Sequence, residues 1–261
     1  MKTIPHTRSN KAVAASALAL LLALPVHAAT FTLNPSADAF VTTGPSGTLS
    51  GNNYGGAGAL SVAASGLPQG EFQSVMRFDL SGARTSFDTQ FGAGQWSVQS
   101  VTLSLTAAPP GNSIFNPSAA GQFGVSWMQN DSWIEGTGKP TTPTTTGITY
   151  SSLPSFTSGS DESLGTFSFA GSTSGTAAYT LGLSPGLLAD ASAGNSASFR
   201  LFAADSAVSY LFYSGNNTGS RPLLSVVAVP EPQAFSLLVT GAIFLCSAGY
   251  RRGSQRASVT H

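Results

Sequence analysis

From Phe31 onward the apolar residues recur at every second position in short runs, each closed by Gly, Ser, Asn or Pro, which is the pattern of strands and turns. Such runs fall at 31–33, 39–41, 60–62, 72–80, 123–127, 164–169, 179–183, 199–203, 208–212 and 224–228. In the run at 72–80, Phe72, Met76, Phe78 and Leu80 alternate with Arg77 and Asp79, while Val75 falls on the other face. Trp96 and Val98 are out of phase with Val101, Leu103 and Leu105, which predicts a β-bulge or turn at Gln99-Ser100. Residues 82–94 hold few apolar groups and read as a long loop, and Lys139 to Thr146, rich in Thr and Pro, as a flexible rim. Ser184 to Ala191 is the only helix the pattern predicts, one or two turns long, with Ser184 as cap and Pro185 at its first position. About ten strands with hardly a helix among them predict an all-β, antiparallel two-sheet sandwich of the jelly-roll kind.

Both ends break this pattern. Lys2, Arg8 and Lys11 precede an apolar stretch from Ala12 to Leu24 and then Val26-His27-Ala28, which together read as a secretory signal peptide cleaved after Ala28, with Ala29 as the alternative. At the other end Val229-Pro230-Glu231-Pro232 stops the last strand, because each proline removes a donor and fixes φ. Gln233 to Tyr250 then carries no charge, and as a helix rising about 1.5 Å per residue it reaches roughly 27 Å, near the thickness of a hydrocarbon core. Arg251, Arg252 and Arg256 follow, and the positive-inside tendency holds residues 253–261 in the cytoplasm. The chain divides into a signal peptide at 1–28, a body at 29–228, and a tail at 229–261 with a transmembrane helix at 233–250.

That tail, with VPEP, an apolar helix and a basic end in fixed order, resembles the PEP-CTERM sorting signal of Gram-negative bacterial surface proteins over residues 229–252. The resemblance implies that an exosortase in the inner membrane recognises Val229, Pro230, Glu231, Pro232, Arg251 and Arg252, removes the tail and releases the protein to the outer surface or exopolysaccharide matrix. An ordinary tail anchor left in place is the alternative.

Setting the two ends aside changes the charge. The whole chain is formally neutral, but the body keeps five basic residues, Arg77, Arg84, Lys139, Arg200 and Arg221, against ten acidic ones, a net charge of −5. Without a basic cluster it does not suit nucleic acid. The whole chain's three histidines, His6, His27 and His261, and its one cysteine, Cys246, all lie in the end segments. A Ser-His-Asp triad, a Cys-His pair and an ordinary zinc site are thereby excluded from the body. Paired carboxylates for glycoside hydrolysis remain, as does a lyase base drawn from Lys139, Tyr or Arg.

Within the body, Asp38-Ala39-Phe40-Val41, Asn53-Tyr54-Gly55, Met76-Arg77-Phe78-Asp79-Leu80, Val101 to Leu105, Asp131-Ser132-Trp133-Ile134-Glu135-Gly136-Thr137, Thr149 to Pro154 and Arg221 to Leu224 follow one another in an order that resembles the DNRLRE domain. This secreted β-sandwich occurs in surface proteins and polysaccharide-active enzymes, and some members bind carbohydrate. Tyr150 and Ser151 stand where that family has Trp and Asn.

Trp133 and Tyr150 are the candidate carbohydrate contacts, since aromatic faces suit the C–H face of a pyranose; the competing reading makes Trp133 a core plug. Trp96 and Trp127, in phase with apolar neighbours, are read as core. Asp131 and Glu135 form a candidate acid pair, with loop-amide bonding as the alternative. Asp38, Asp79 and Asp205 are candidate ligands for a structural calcium, although no Asp-x-Asp spacing supports it. Arg77 and Asp79 share a strand face and are expected to pair with neighbours. The expectation is an exported, non-enzymatic surface or matrix protein that associates with exopolysaccharide. A carboxylate-dependent hydrolase or lyase and a ligand-free coat protein are the alternatives.

Overall fold

The structure, a computed structural model, describes residues 27–231. Most of the signal peptide, Pro232, the proposed membrane helix, Arg251 and Arg252 lie outside the described residues. Among the described residues no helix is long and apolar enough to cross a membrane.

Residues Ala29–Ala228 form one compact unit of two antiparallel sheets packed face to face. The strands are β1 (Ala29–Leu33), β2 (Ala37–Thr42), β3 (Ala59–Ala63), β4 (Phe72–Asp79), β5 (Trp96–Thr106), β6 (Gly121–Met128), β7 (Glu162–Phe169), β8 (Thr176–Leu181), β9 (Ser196–Ala203), β10 (Ser209–Tyr213) and β11 (Leu223–Pro230). The smaller sheet has the order β1-β11-β5-β8; the larger runs β10-β3-β4-β9-β6-β7, and β2 also pairs with β4. Alternation decides the packing: Val101, Leu103, Leu105, Tyr179, Leu181, Leu224 and Val226 of the smaller sheet share one core with Phe72, Met76, Phe78, Phe123, Val125, Phe199 and Leu201 of the larger. Across the gap Phe123 meets Tyr179 edge to face, with centroids 5.1 Å apart.

A second core lies on the outer side of the larger sheet. Ala37, Ala39, Val41, Val75 and Met128 point away from the main core and are covered by Trp133, Ile148 and Leu153 from the coil between β6 and β7. Val75 breaks the expected phase because both faces of β4 are buried, and all six residues of β2 are buried for the same reason.

Three sequence expectations need correction. Ser81–Phe91, read as loop, is a helix, α1. Leu80, Ala83, Phe87 and Phe91 recur at helical spacing, and Ala83 and Phe87 are buried. The second helix, α2 (Pro185–Ala193), begins as expected with Ser184 accepting from the N–H of Leu187 and Pro185 at the first turn, and is therefore not the only one. Strand β5 passes through Gln99-Ser100 as a single strand. Its phase changes because its partner changes: Trp96 packs on Phe87 of α1, ring centroids 5.0 Å apart, whereas Val101, Leu103 and Leu105 enter the core between the sheets. The register shift lies instead between β6 and β7, where pairing steps from Gly165 to Ser163 past Leu164.

Candidate functional site

The Asp131 to Thr137 segment lies beside the second core and is fixed by three polar anchors. Arg77, projecting from β4, donates from Nη1 to the carbonyls of Asp131 at 2.7 Å and Trp133 at 3.0 Å. Its guanidinium stands over the Trp133 ring, 5.0 Å from the centroid. Trp133 in turn donates its indole N–H to Ser198 Oγ at 2.9 Å. With 1 % of its surface exposed, Trp133 is a core residue, and the stacking platform expected of it is closed. Tyr150 is half-buried and donates its hydroxyl to Glu71 Oε2 at 2.9 Å. Burial first, then the bond to the Glu71 carboxylate, pushes its pKa up to about 12. Trp96 and Trp127 are equally committed, their indole N–H groups donating to Asp88 Oδ1 at 2.7 Å and Asp190 Oδ2 at 2.8 Å. Arg77 and Asp79 do pair with neighbours: Asp79 accepts the N–H of Ser81 at 3.0 Å.

The residue that organises the region is Asn53, which composition marks only as part of a Gly/Asn loop. Fully buried, it donates through Nδ2 to the carbonyls of Glu135 at 2.7 Å and Ile148 at 2.8 Å. Its Oδ1 accepts from the N–H groups of Gly55 and Gly138 at 3.2 and 3.1 Å. Gly136, at φ 79°, lies so close that a Cβ there would stand 2.2 Å from Asn53 Oδ1, so the glycine is required by both conformation and space. The loop expected to be a flexible rim is thus tied at both ends, with Lys139 and Thr142 bridging each other and Thr144 bridging Asn53. The Asn53-Tyr54-Gly55 triplet was the sequence signal for this hub, but nothing in its composition separates a buried clamp from a solvated turn.

These anchors shape an open cleft of about 730 Å³ where segments 55–58 and 135–141 meet Asn112 and Asn216. Its walls carry the carboxyl of Glu135, the amine of Lys139, the amides of Asn112 and Asn216, and the hydroxyls of Thr137 and Thr141. A second hollow of about 610 Å³, lined by Arg77, Asp131, Ile134 and Thr146 among others, shares Glu135, Gly136 and Thr137 with the first. Ile134 is 66 % exposed beside it.

Burial raises the pKa of both Asp131 and Glu135; bonds from Ser198 act against the rise at Asp131, and those from Asp38 N–H and Asn216 act against it at Glu135. The candidate acid pair therefore does share one hollow, with Arg77 between them electrostatically. Asp38 is 1 % exposed and its pKa is raised to about 7, chiefly by burial. The calcium set of Asp38, Asp79 and Asp205 does not assemble. Asp79 serves the start of α1, Asp205 accepts the N–H groups of Gln122, Ala207 and Val208, and no three His, Cys, Asp or Glu side chains gather among the described residues. Of the sorting residues, Val229 and Pro230 end β11 and Glu231 follows it.

No family model matches the chain, and no curated protein matches it.

Proposed function

We propose that the chain is an exported, non-enzymatic bacterial surface or extracellular-matrix protein whose sandwich associates with exopolysaccharide through the cleft beside Glu135. The cleft carries this reading: an open site walled by amides, hydroxyls, one carboxyl and the body's one lysine offers hydrogen-bond partners of both kinds to a hydroxyl-rich chain. Lys139 is exposed at its rim and adds a cation for carboxylated sugars. Sandwich architecture and long-range strand crossovers are compatible with the jelly-roll and DNRLRE-like reading.

Delivery follows from the ends of the sequence. Signal-peptide cleavage after Ala28 leaves Ala29 to pair with Ala228, whereas cleavage after Ala29 removes a residue of β1. The secretion machinery exports the body, the helix at 233–250 holds a transient inner-membrane precursor, and exosortase acts at the VPEP element. The experiment is a polysaccharide array probed with the purified full-length chain and its Lys139→Ala variant. Binding to a neutral or acidic exopolysaccharide that the variant weakens supports the reading, and no binding to any polysaccharide leaves a ligand-free coat protein. Sorting is checked by mass spectrometry of the surface form, where an intact Arg252 would rule out processing.

One observation favours the hydrolase or lyase alternative: Asp131 and Glu135 line one hollow, both with pKa values raised by burial, as an acid needs. New reducing ends from exopolysaccharide, lost in Glu135→Gln, would establish it.

A further inference from the structure

The outer face of the smaller sheet carries a groove of about 650 Å³ that shares no lining residue with the cleft beside Glu135. Alternation puts it there. Leu103 and Leu105 enter the core, so Ser104 and Thr106 of β5 face outward, and Thr106 pairs with Thr176 of β8, their hydroxyls 2.8 Å apart. The turn before β11 closes the groove with Thr218, Ser220 and Arg221. That turn is held from within: Asn217 Oδ1 accepts the N–H groups of Gly219 at 2.9 Å and Ser220 at 3.1 Å, and Asn34 Nδ2 donates to the Pro222 carbonyl at 2.9 Å. Arg221 commits only its Nε–H, which donates to the Asn217 carbonyl at 2.9 Å. Its two terminal nitrogens have no acceptor among the described residues. No acidic side chain lines the groove, and among the described residues Arg221 makes no ion pair. The other cations of the body are engaged or opposed: Arg84 pairs with Asp88 at 3.4 Å, Arg77 and Lys139 each share a hollow with Glu135, and Arg200 stands over the Phe202 ring. In a body of net charge −5, one exposed guanidinium is thus left facing a groove of hydroxyls.

We propose that this groove binds a carboxylate-bearing sugar of an acidic polysaccharide, with Arg221 clamping the carboxylate and the hydroxyls of Ser104, Thr106, Thr176 and Thr218 meeting those of the sugar rings. A guanidinium takes a carboxylate through two parallel N–H···O bonds, and the terminal nitrogens of Arg221 are open for them. A serine or threonine hydroxyl both donates and accepts, as a sugar hydroxyl does. Outward residues repeat at about 6.8 Å along a strand and about 4.8 Å across strands, and the hydroxyl lattice continues past the groove through Thr102 and Thr180, which face each other in register. Among the described residues Leu223 is the one apolar side chain in the lining, which does not suit a hydrophobic peptide or an acyl chain. With no carboxylate opposing Arg221, the attraction for an anion is uncancelled, whereas in the first cleft Glu135 shares the lining with Lys139. The inference rests on the exopolysaccharide reading for the kind of polymer and adds to it a second surface and an acidic sugar, independent of the cleft.

The test is calorimetric titration of the full-length chain in EDTA with polygalacturonate and, separately, with the same polymer after its carboxyl groups have been reduced to alcohols. The parent is expected to bind the acidic polymer about tenfold or more tightly than the reduced one, and to lose affinity as sodium chloride rises from about 0.05 to 0.5 M, because an open ionic contact is screened by salt. Arg221→Gln weakens binding of the acidic polymer about tenfold or more, and Arg221→Lys, which keeps the charge without the fork, falls between. Arg84→Gln, which removes the same charge elsewhere, binds as the parent does. Arg221 is exposed, so the Tm of Arg221→Gln is expected to match the parent's. A parent chain that binds the two polymers alike, or neither, overturns the proposal whether or not the variants fold. Equal weakening by Arg84→Gln and Arg221→Gln overturns it as well, since net charge alone then accounts for the attraction. Binding lost in Lys139→Ala but kept in Arg221→Gln removes the groove and leaves the cleft reading standing.

Discussion

Asp38 illustrates how much one enclosed carboxyl can do. Below about pH 3 it is neutral in both the folded and the unfolded chain. As pH climbs toward 7 the unfolded chain releases the proton and the folded one keeps it, so stability is lost across that window and levels off above it. The displacement from 3.8 to about 7 corresponds to roughly 4 kcal/mol. Asp38→Asn is therefore expected to match the parent near pH 3 and to exceed it at pH 8 by up to roughly that amount. Urea unfolding at a series of pH values measures the difference, and parallel curves would refute it. Asn53 works in the opposite sense. Asn53→Ala strands the part-buried carbonyl of Glu135, the carbonyl of Ile148 and the N–H of Gly138, and at about 1–3 kcal/mol for each unmet group the loss is expected to be about 3 kcal/mol or more. A denaturation midpoint within error of the parent would show that the clamp contributes nothing.

At the level of elements, the strands were legible because period-two alternation follows directly from a half-buried sheet, and all eleven lie on or next to runs the sequence displays. What alternation cannot reveal is which faces are covered. Val75 and Trp96 broke phase because each meets a different partner from its neighbours in the strand, and the partners come from distant segments. Helix α1 was hidden for a local reason. Its cap position is Leu80, with no capping side chain, and Asp79 bonds the first turn from one residue too early. Gly82 and the two threonines, which bond back to Ser81 and Thr85, dilute the stripe of Leu80, Ala83, Phe87 and Phe91. That stripe nevertheless holds the helix, so Phe87→Ala is expected to cost about 3–5 kcal/mol. Ser184→Ala, which removes the visible cap of α2, should cost only about 1 kcal/mol. Chemical denaturation of the two variants side by side checks the ranking.

For the compact unit as a whole, the candidate site is a by-product of the second core. Trp133, Ile148 and Leu153 cover the outer side of the larger sheet, and the polar groups between them, held by Arg77 and Asn53, are left to form the cleft. The segment was legible as a motif, and of the two readings its aromatic residue allowed, ligand contact and core plug, the structure has the plug. Trp133→Ala is accordingly expected to destabilise by about 3–5 kcal/mol, whereas Lys139→Ala, at an exposed rim, should leave the Tm unchanged while weakening glycan binding. Thermal unfolding paired with the polysaccharide array separates the two roles.

The pairing of β1 with β11, Ala29 opposite Ala228, has a mechanical consequence. A load applied at Pro230 along β11 pulls a strand held between β1 and β5 lengthwise. The ladder bonds on both sides are then strained together in shear instead of being unzipped one by one. A body pulled from the end of β11 would resist with both of that strand's ladders at once.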